Sequence, residues 1–270
     1  MQEKVAFIGY GNMANAIISA VLNSDCINKK DLYIYDLNAE KLNKAKELNI
    51  NTIGSIKESA ICKYVFICVK PQNINEVLNE LKETVNENNI NDKVFVSIAA
   101  GIKTEYILSF LGKNAKLIRI MPNVCLMQNE GASALTAHNT TEDEFDFVFK
   151  IFNSCGTAVK TDEKNFDAVT ALSGSGPAFC FEFVNEMINA AEKCGLSRKE
   201  AEVLAIQTMY GSAKMLKFGD KSADELIKMV SSPNGTTVAG LEAMRKNNFK
   251  KSVESAIVFA NNRSVELGNK

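Results

Sequence analysis

The chain has almost no histidine. Its one imidazole, His138, lies in the polar stretch Ala137-His138-Asn139-Thr140-Thr141, which reads as a surface loop. That scarcity removes whole mechanisms. A Ser–His–Asp hydrolase or a histidine-based alcohol dehydrogenase would rest on this one residue, and a multi-histidine metal centre is impossible. Cysteine pairs are missing too. The 7 cysteines (Cys26, Cys62, Cys68, Cys125, Cys155, Cys180 and Cys194) form no CxxC, and their number is odd. Most have apolar neighbours, so buried thiols in a reducing cytoplasm are expected, with no metal site. Net charge is only −1, which speaks against nucleic acid or an anionic membrane as the main partner. No apolar run approaches the roughly 18 residues of a membrane span. Met1-Gln2-Glu3-Lys4 leads straight into Val5-Ala6-Phe7-Ile8 without a signal-peptide layout.

What is present is a chain of 270 residues, enough for one large core or two moderate ones. Its first part alternates strand and helix. Lys4–Ile8, Leu32–Tyr35, Tyr64–Val69, Val94–Ile98 and Leu117–Met121 read as strands, with helices over Asn15–Asn23 and Glu40–Leu48. Near-continuous apolar strands between helices predict an α/β fold with a parallel sheet covered on both faces. Thr141 with Glu144 forms a capping box ahead of Phe145, Val148, Phe149 and Phe152. Beyond Thr161 no strand pattern remains. Helices are expected over Phe166–Leu172, Pro177–Cys194, Ser197–Phe218 and Lys250–Leu267, with capping boxes at Ser197/Glu200 and Ser222/Glu225 and C-caps at Gly195 and Gly219. The expected division is residues 1–161, dinucleotide-binding, and 162–270, all-α. A helical domain this small, rich in Ala, Met and Phe, often completes its core by dimerising.

Gly9-Tyr10-Gly11-Asn12-Met13-Ala14 follows the first strand and opens the first helix. This is the G-x-G-x-x-A form of the dinucleotide fingerprint: Gly9 for the tight turn, Gly11 for close approach of the pyrophosphate, Ala14 for helix–strand packing. An acid at the end of the second strand completes it, and Asp36 stands there. Such a carboxylate bonds a ribose 2′-OH and repels a 2′-phosphate, so Asp36 leans toward NADH over NADPH. Lys41 and Lys44 read equally well as surface charge. Two further strand ends, Val69-Lys70-Pro71-Gln72 and Ala99-Ala100-Gly101, should border the nicotinamide half, the first mainly through its backbone.

The segment Val230-Ser231-Ser232-Pro233-Asn234-Gly235-Thr236-Thr237 is a polar turn that opens into a helix through Val238, Leu241 and Met244. Thr236 and Thr237 are placed to cap that helix. Its free N–H groups could hold a carboxylate without Lys or Arg.

Together these blocks, with Arg119-Ile120-Met121-Pro122-Asn123 and Leu172-Ser173-Gly174-Ser175-Gly176-Pro177-Ala178, resemble the pyrroline-5-carboxylate reductase family over essentially the whole chain. The resemblance implies a Rossmann-type doubly wound domain followed by an all-α dimerisation domain. It implies NAD(P)H-dependent reduction of a cyclic imine to L-proline, a site between the two domains, and dimers that can assemble into a decamer. Carried over residue by residue, Val230, Gly235, Thr236 and Thr237 would bind the substrate carboxylate and ring. Met121, Pro122 and Asn123 would edge the pocket, and Ser175 with Gly176 would form its floor. Asn12 and Met13 belong to the cofactor turn, Ser55 would sit near the adenine ribose, and Glu163 would bind cofactor near the hinge. Thr237 is the candidate catalytic residue, to hydrogen-bond the ring nitrogen or to help deliver its proton. Three positions depart from the pattern: Asn234 stands where Gly is usual, Met229 where some members are polar, and Asp36 where NADPH-preferring members carry a Ser-rich segment. A β-hydroxyacid dehydrogenase would carry a Lys where Cys180 follows Gly174-Ser175-Gly176. A non-catalytic nucleotide sensor would have damaged the Gly9–Ala14 turn or the Thr236-Thr237 loop, and both are intact.

Overall fold

A computed structural model describes residues 3–23, 27–87 and 92–268; Cys26 lies outside them. Eight strands form one sheet in the order β3-β2-β1-β4-β5-β6-β7-β8. They are β1 (Val5–Ile8), β2 (Leu32–Tyr35), β3 (Asn51–Thr52), β4 (Tyr64–Ile67), β5 (Val94–Ser97), β6 (Lys116–Met121), β7 (Gly131–His138) and β8 (Gly156–Lys160). All neighbours run parallel except β6 and β7. The helices α1 (Asn12–Asn23), α2 (Ala39–Glu47), α3 (Ile74–Glu87), α4 (Thr104–Leu111) and α5 (Glu142–Ser154) cover it.

β1 and β4 are apolar throughout because both their faces are buried. Alternate side chains point to opposite faces of a strand. Val5, Phe7, Tyr64 and Phe66 therefore join one core with α1 and α5, while Ile8, Val65 and Ile67 join another with α3 and α4. The sheet departs from expectation at β7, Gly131-Ala-Ser-Ala-Leu-Thr-Ala-His138, whose small residues carry no strand signature, and whose antiparallel pairing breaks the parallel run. His138 is thus a strand end rather than a loop residue, its Nε2 2.9 Å from the Lys113 carbonyl oxygen.

After β8 the chain is helical: α6 (Phe166–Val169), a π-helical turn over Thr170–Gly174, α7 (Gly176–Lys193), α8 (Arg198–Phe218), α9 (Ala223–Met229), α10 (Thr236–Lys246) and α11 (Phe249–Leu267). The capping boxes at Thr141, Ser197 and Ser222 are all formed. Gly195 takes a left-handed φ of 102° at the end of α7, as a C-cap glycine should, whereas Gly219 ends α8 in extended backbone. Contacts divide the chain into two compact units, Met1–Ser175 with Ala260–Lys270, and Gly176–Phe259. The second unit buries only Ile188, Ala201 and Ala205 as a cluster, and leaves Phe181, Val203, Ile206, Phe218 and Phe259 exposed. Its thin core also corrects the cysteine expectation: Cys62 and Cys155 are buried and Cys68 and Cys125 half-buried, but Cys180 and Cys194 are exposed.

Candidate functional site

The carboxyl ends of β1, β2 and β4 open on a cleft of about 710 Å³, lined by Gly9, Gly11, Asp36, Leu37, Lys41, Ile56, Val69, Lys70 and Val77 among others. Gly9 must be glycine twice over. Its φ is +95°, and a Cβ there would lie 2.9 Å from the Cys68 carbonyl oxygen. Its N–H donates to the Tyr35 carbonyl (2.8 Å), closing the turn against β2. Gly11 faces open space, with nothing within 4 Å of a Cβ position, so a pyrophosphate could approach the backbone there. Ala14 is fully buried where α1 meets the sheet. Asn12 starts α1 at the surface, and Met13 leans on the core. A glycine cradle of this shape beside an acid fits a dinucleotide.

Asp36 is more engaged than the sequence suggests. One carboxylate oxygen accepts from the Tyr10 N–H (2.7 Å) and from Lys41 Nζ (2.9 Å), the other from the Asn38 N–H (2.9 Å). Burial opposes its ionisation, but the Tyr10 and Asn38 N–H groups and the Lys41 ammonium outweigh burial and hold its carboxyl below the usual range. A carboxylate oxygen has room for more than one donor and Oδ1 has only the Asn38 N–H, so a ribose hydroxyl can still be received. Lys41, which sequence spacing left ambiguous, is the partner that tempers this charge. Glu76 and Glu80, one turn apart on α3, also line the cleft and carry no sequence signal beyond their i,i+4 spacing.

The remaining cofactor candidates are placed as follows. Ser55 precedes the turn that carries Ile56 into the cleft, and its hydroxyl donates to Glu58 (3.2 Å). Lys70 and Pro71 are exposed where the chain leaves β4 and turns into α3. Ala99 is buried and Ala100 exposed at the end of β5, and Gly101 takes a φ of +76°. The Glu163 carboxylate is occupied by protein donors, the Thr104 N–H (2.7 Å) and Arg119 Nη1 (2.6 Å).

The substrate candidates fall into two groups. In the first unit Met121 packs on the serine–glycine segment: a Cβ on Gly174 would sit 2.7 Å from Met121 Cε. Pro122 and Asn123 are buried, and Asn123 Oδ1 accepts from the Ala132 N–H (3.1 Å), tying the end of β6 to β7. Ser175 follows the π turn, its N–H donating to the Thr170 carbonyl (2.8 Å), and Gly176 starts α7. π turns inside helices recur at functional sites.

In the second unit Val230 is exposed at the end of α9, and the Gly235 N–H closes a turn on the Ser232 carbonyl (3.0 Å). Asn234 takes a left-handed φ of 58°, a conformation asparagine tolerates better than most residues. Its substitution for glycine is therefore accommodated. The expected threonine caps are not formed. Gly235 is the N-cap of α10, no side chain caps it, and Thr236 and Thr237 are the first two helical residues. The proline turn enters the helix one residue too early for either hydroxyl to reach back. That arrangement leaves first-turn N–H groups for an incoming anion.

Two family models match the chain. One, for NADP oxidoreductase, coenzyme F420-dependent, spans residues 4–101. The other, for pyrroline-5-carboxylate reductase dimerisation, spans residues 163–267. The pyrroline-5-carboxylate reductase of Aquifex aeolicus is 35% identical, covering 98% of this chain and 97% of its own. Among solved structures, the reductase of Coxiella burnetii is 30% identical with a TM-score of 0.92, covering 99% of both chains. The Plasmodium falciparum enzyme, solved with NADP bound, is 32% identical with a TM-score of 0.86, again over 99% of both. Likeness of this extent runs through the glycine turn, the strand-end acid and the helical unit alike, and the chain belongs to the pyrroline-5-carboxylate reductase family.

Proposed function

We infer that this protein reduces L-Δ1-pyrroline-5-carboxylate to L-proline with NAD(P)H. The observation that carries this is the near-full-length match to reductases of that name on a chain whose dinucleotide cradle is intact. The cofactor supplies the hydride, and the protein supplies binding and orientation. A protonated imine already carries its positive charge, so the protein needs chiefly to hold the carboxylate and place the ring. The first-turn N–H groups of α10, with Gly235, Thr236 and Thr237, suit the carboxylate, beside Val230. The Thr237 hydroxyl is free of capping duty and suits the ring nitrogen. Met121, Pro122, Asn123, Ser175 and Gly176 shape the substrate's surroundings, Asn123 through its grip on β7.

Gly9, Gly11, Asn12 and Met13 form the pyrophosphate turn, Asp36 and Ser55 border the adenosine, and Val69, Lys70, Pro71, Ala99 and Ala100 border the nicotinamide. Asp36 favours a ribose 2′-OH, hence NADH, although its pairing with Lys41 softens the bias against NADPH. Exposed apolar side chains on α7, α8 and α11 suit a homodimer through the helical region, with a decamer of dimers as the larger assembly. The dimerisation model's start at residue 163 favours placing the functional boundary near Thr161. Thiols at the six described cysteines suit a reducing cytoplasm, and no helix among the described residues is long and apolar enough to cross a membrane.

Absorbance at 340 nm tests the reading: pure protein with pyrroline-5-carboxylate should oxidise NADH, NADPH or both, and no oxidation with either overturns it. Thr237→Ala should lower kcat/KM by about 100-fold or more. Full efficiency in that variant would remove Thr237 from the chemistry.

A further inference from the structure

Helix α4 begins without a local cap. Its N-cap residue is Lys103, which makes no side-chain cap bond. The acceptor comes from 59 residues away: Glu163 Oε1 takes the Thr104 N–H (2.7 Å), and its carboxylate also accepts from the Thr104 hydroxyl. The same oxygen is held by Arg119 Nη1 (2.6 Å), whose guanidinium lies 4.5 Å over the ring of buried Phe166. Arg119 is itself 7% exposed, on β6 two residues before Met121. One carboxylate thus joins the start of α4, the end of β6 and the turn into α6. The chain's last helix adds a second support. Ser264 Oγ donates to Asp167 (2.6 Å), and a Cβ on Gly268 would stand 3.5 Å from the Gly101 carbonyl oxygen.

What this assembly holds is the stretch Ala99–Lys103, five of the six residues that link β5 to α4. We propose that Glu163 is a positioning residue: clamped by Arg119, it fixes the Ala99–Lys103 loop in the shape that receives the nicotinamide end of the cofactor, without touching the ligand. This rests on the functional reading above, in which that loop borders the nicotinamide. A loop fixed in advance does not have to be ordered on binding. Burial works against ionisation of Glu163, but the Thr104 donors and Arg119 hold its carboxyl below the usual range, so the clamp stays charged near neutral pH.

Thr104→Pro tests the clamp. Proline is accepted at the first position of a helix, and Lys103, at φ −78° and ψ 153°, already has the backbone a residue before proline requires. The substitution removes both donors of Thr104, the N–H and the hydroxyl, that tie the loop to Glu163, leaving the Arg119–Glu163 pair in place. NADH binding is followed by the cofactor's own fluorescence, the chain having no Trp. Thr104→Pro should raise the Kd for NADH about fivefold, with the KM for pyrroline-5-carboxylate within about twofold of wild type. Glu163→Met should weaken NADH binding likewise, and Glu163→Gln, which keeps an acceptor in place, should restore most of it. Wild-type affinity in both Thr104→Pro and Glu163→Met overturns the clamp, as does an equal rise in Kd and KM. Wild-type protein that neither binds nor oxidises NADH or NADPH overturns the functional reading itself, a result distinct from a failed clamp.

Discussion

The two compact units solve the burial problem in opposite ways. The first stacks Phe7, Phe66, Phe95 and Phe152 into its interior with no exposure. The second leaves Phe181, Phe218 and Phe259 at 64%, 71% and 73%. A sheet covered on both faces encloses two cores by itself, whereas a few helices of about 84 residues do not enclose one. The lesson is that the first unit buries its large apolar side chains by itself, while the second leaves many of them uncovered.

Three experiments test that contrast. The largest effect is expected in the first unit. Phe7→Ala deletes a ring stacked 4.6 Å from Phe66 and should destabilise by about 3–5 kcal/mol, read as a fall in the urea midpoint that does not depend on protein concentration. A smaller and different effect is expected in the second. Ile206→Glu changes a side chain 58% exposed on α8, so the isolated chain should fold as before while sedimentation shows smaller assemblies and the melting temperature becomes concentration-dependent. Unchanged assembly in Ile206→Glu, together with a lowered monomer stability, would erase the distinction. The third effect is the mildest. Lowered carboxyls with hydrogen-bonded partners, Asp36, Glu144 and Glu163, lie in the first unit, while those of the second, Glu200 and Glu225, are exposed capping glutamates. A carboxyl lowered by folding stabilises above its unfolded pKa of about 4 and loses that contribution as pH falls through its folded value. Stability should therefore be level from about pH 8 to 5 and decline below about pH 4.5. Hydrogen exchange, corrected for intrinsic rate, should show protection lost first in the first unit.

How much of this was legible in the sequence varied with the kind of interaction. The strands β1, β2, β4, β5 and β6 announce themselves as nearly continuous apolar runs. β7 does not, since Ala132, Ser133 and Ala134 owe their strand to pairing with β6 and β8 rather than to their own preference. The capping boxes are local and were readable. The cap of α10 was displaced by one residue, because Asn234 in a left-handed conformation ends the turn at Gly235. That Gly9 and Asp36 share one cleft was readable from their spacing. Lys41 at Asp36 and Thr104 at Glu163 were not, since neither pattern nor composition shows which donor a carboxylate will meet, least of all from 59 residues away. The π turn over Thr170–Gly174 leaves no mark in a 3.6-residue periodicity.

Asp36 carries one more implication. Because it grips the Tyr10 N–H inside the glycine turn, the carboxylate proposed to face the ribose also stiffens the turn proposed to receive the pyrophosphate. On that proposal, selectivity and rigidity are linked in one side chain. Replacing Asp36 to admit a 2′-phosphate would also slacken the turn, so a change of cofactor along this lineage has to bring a new acceptor for Tyr10 with it.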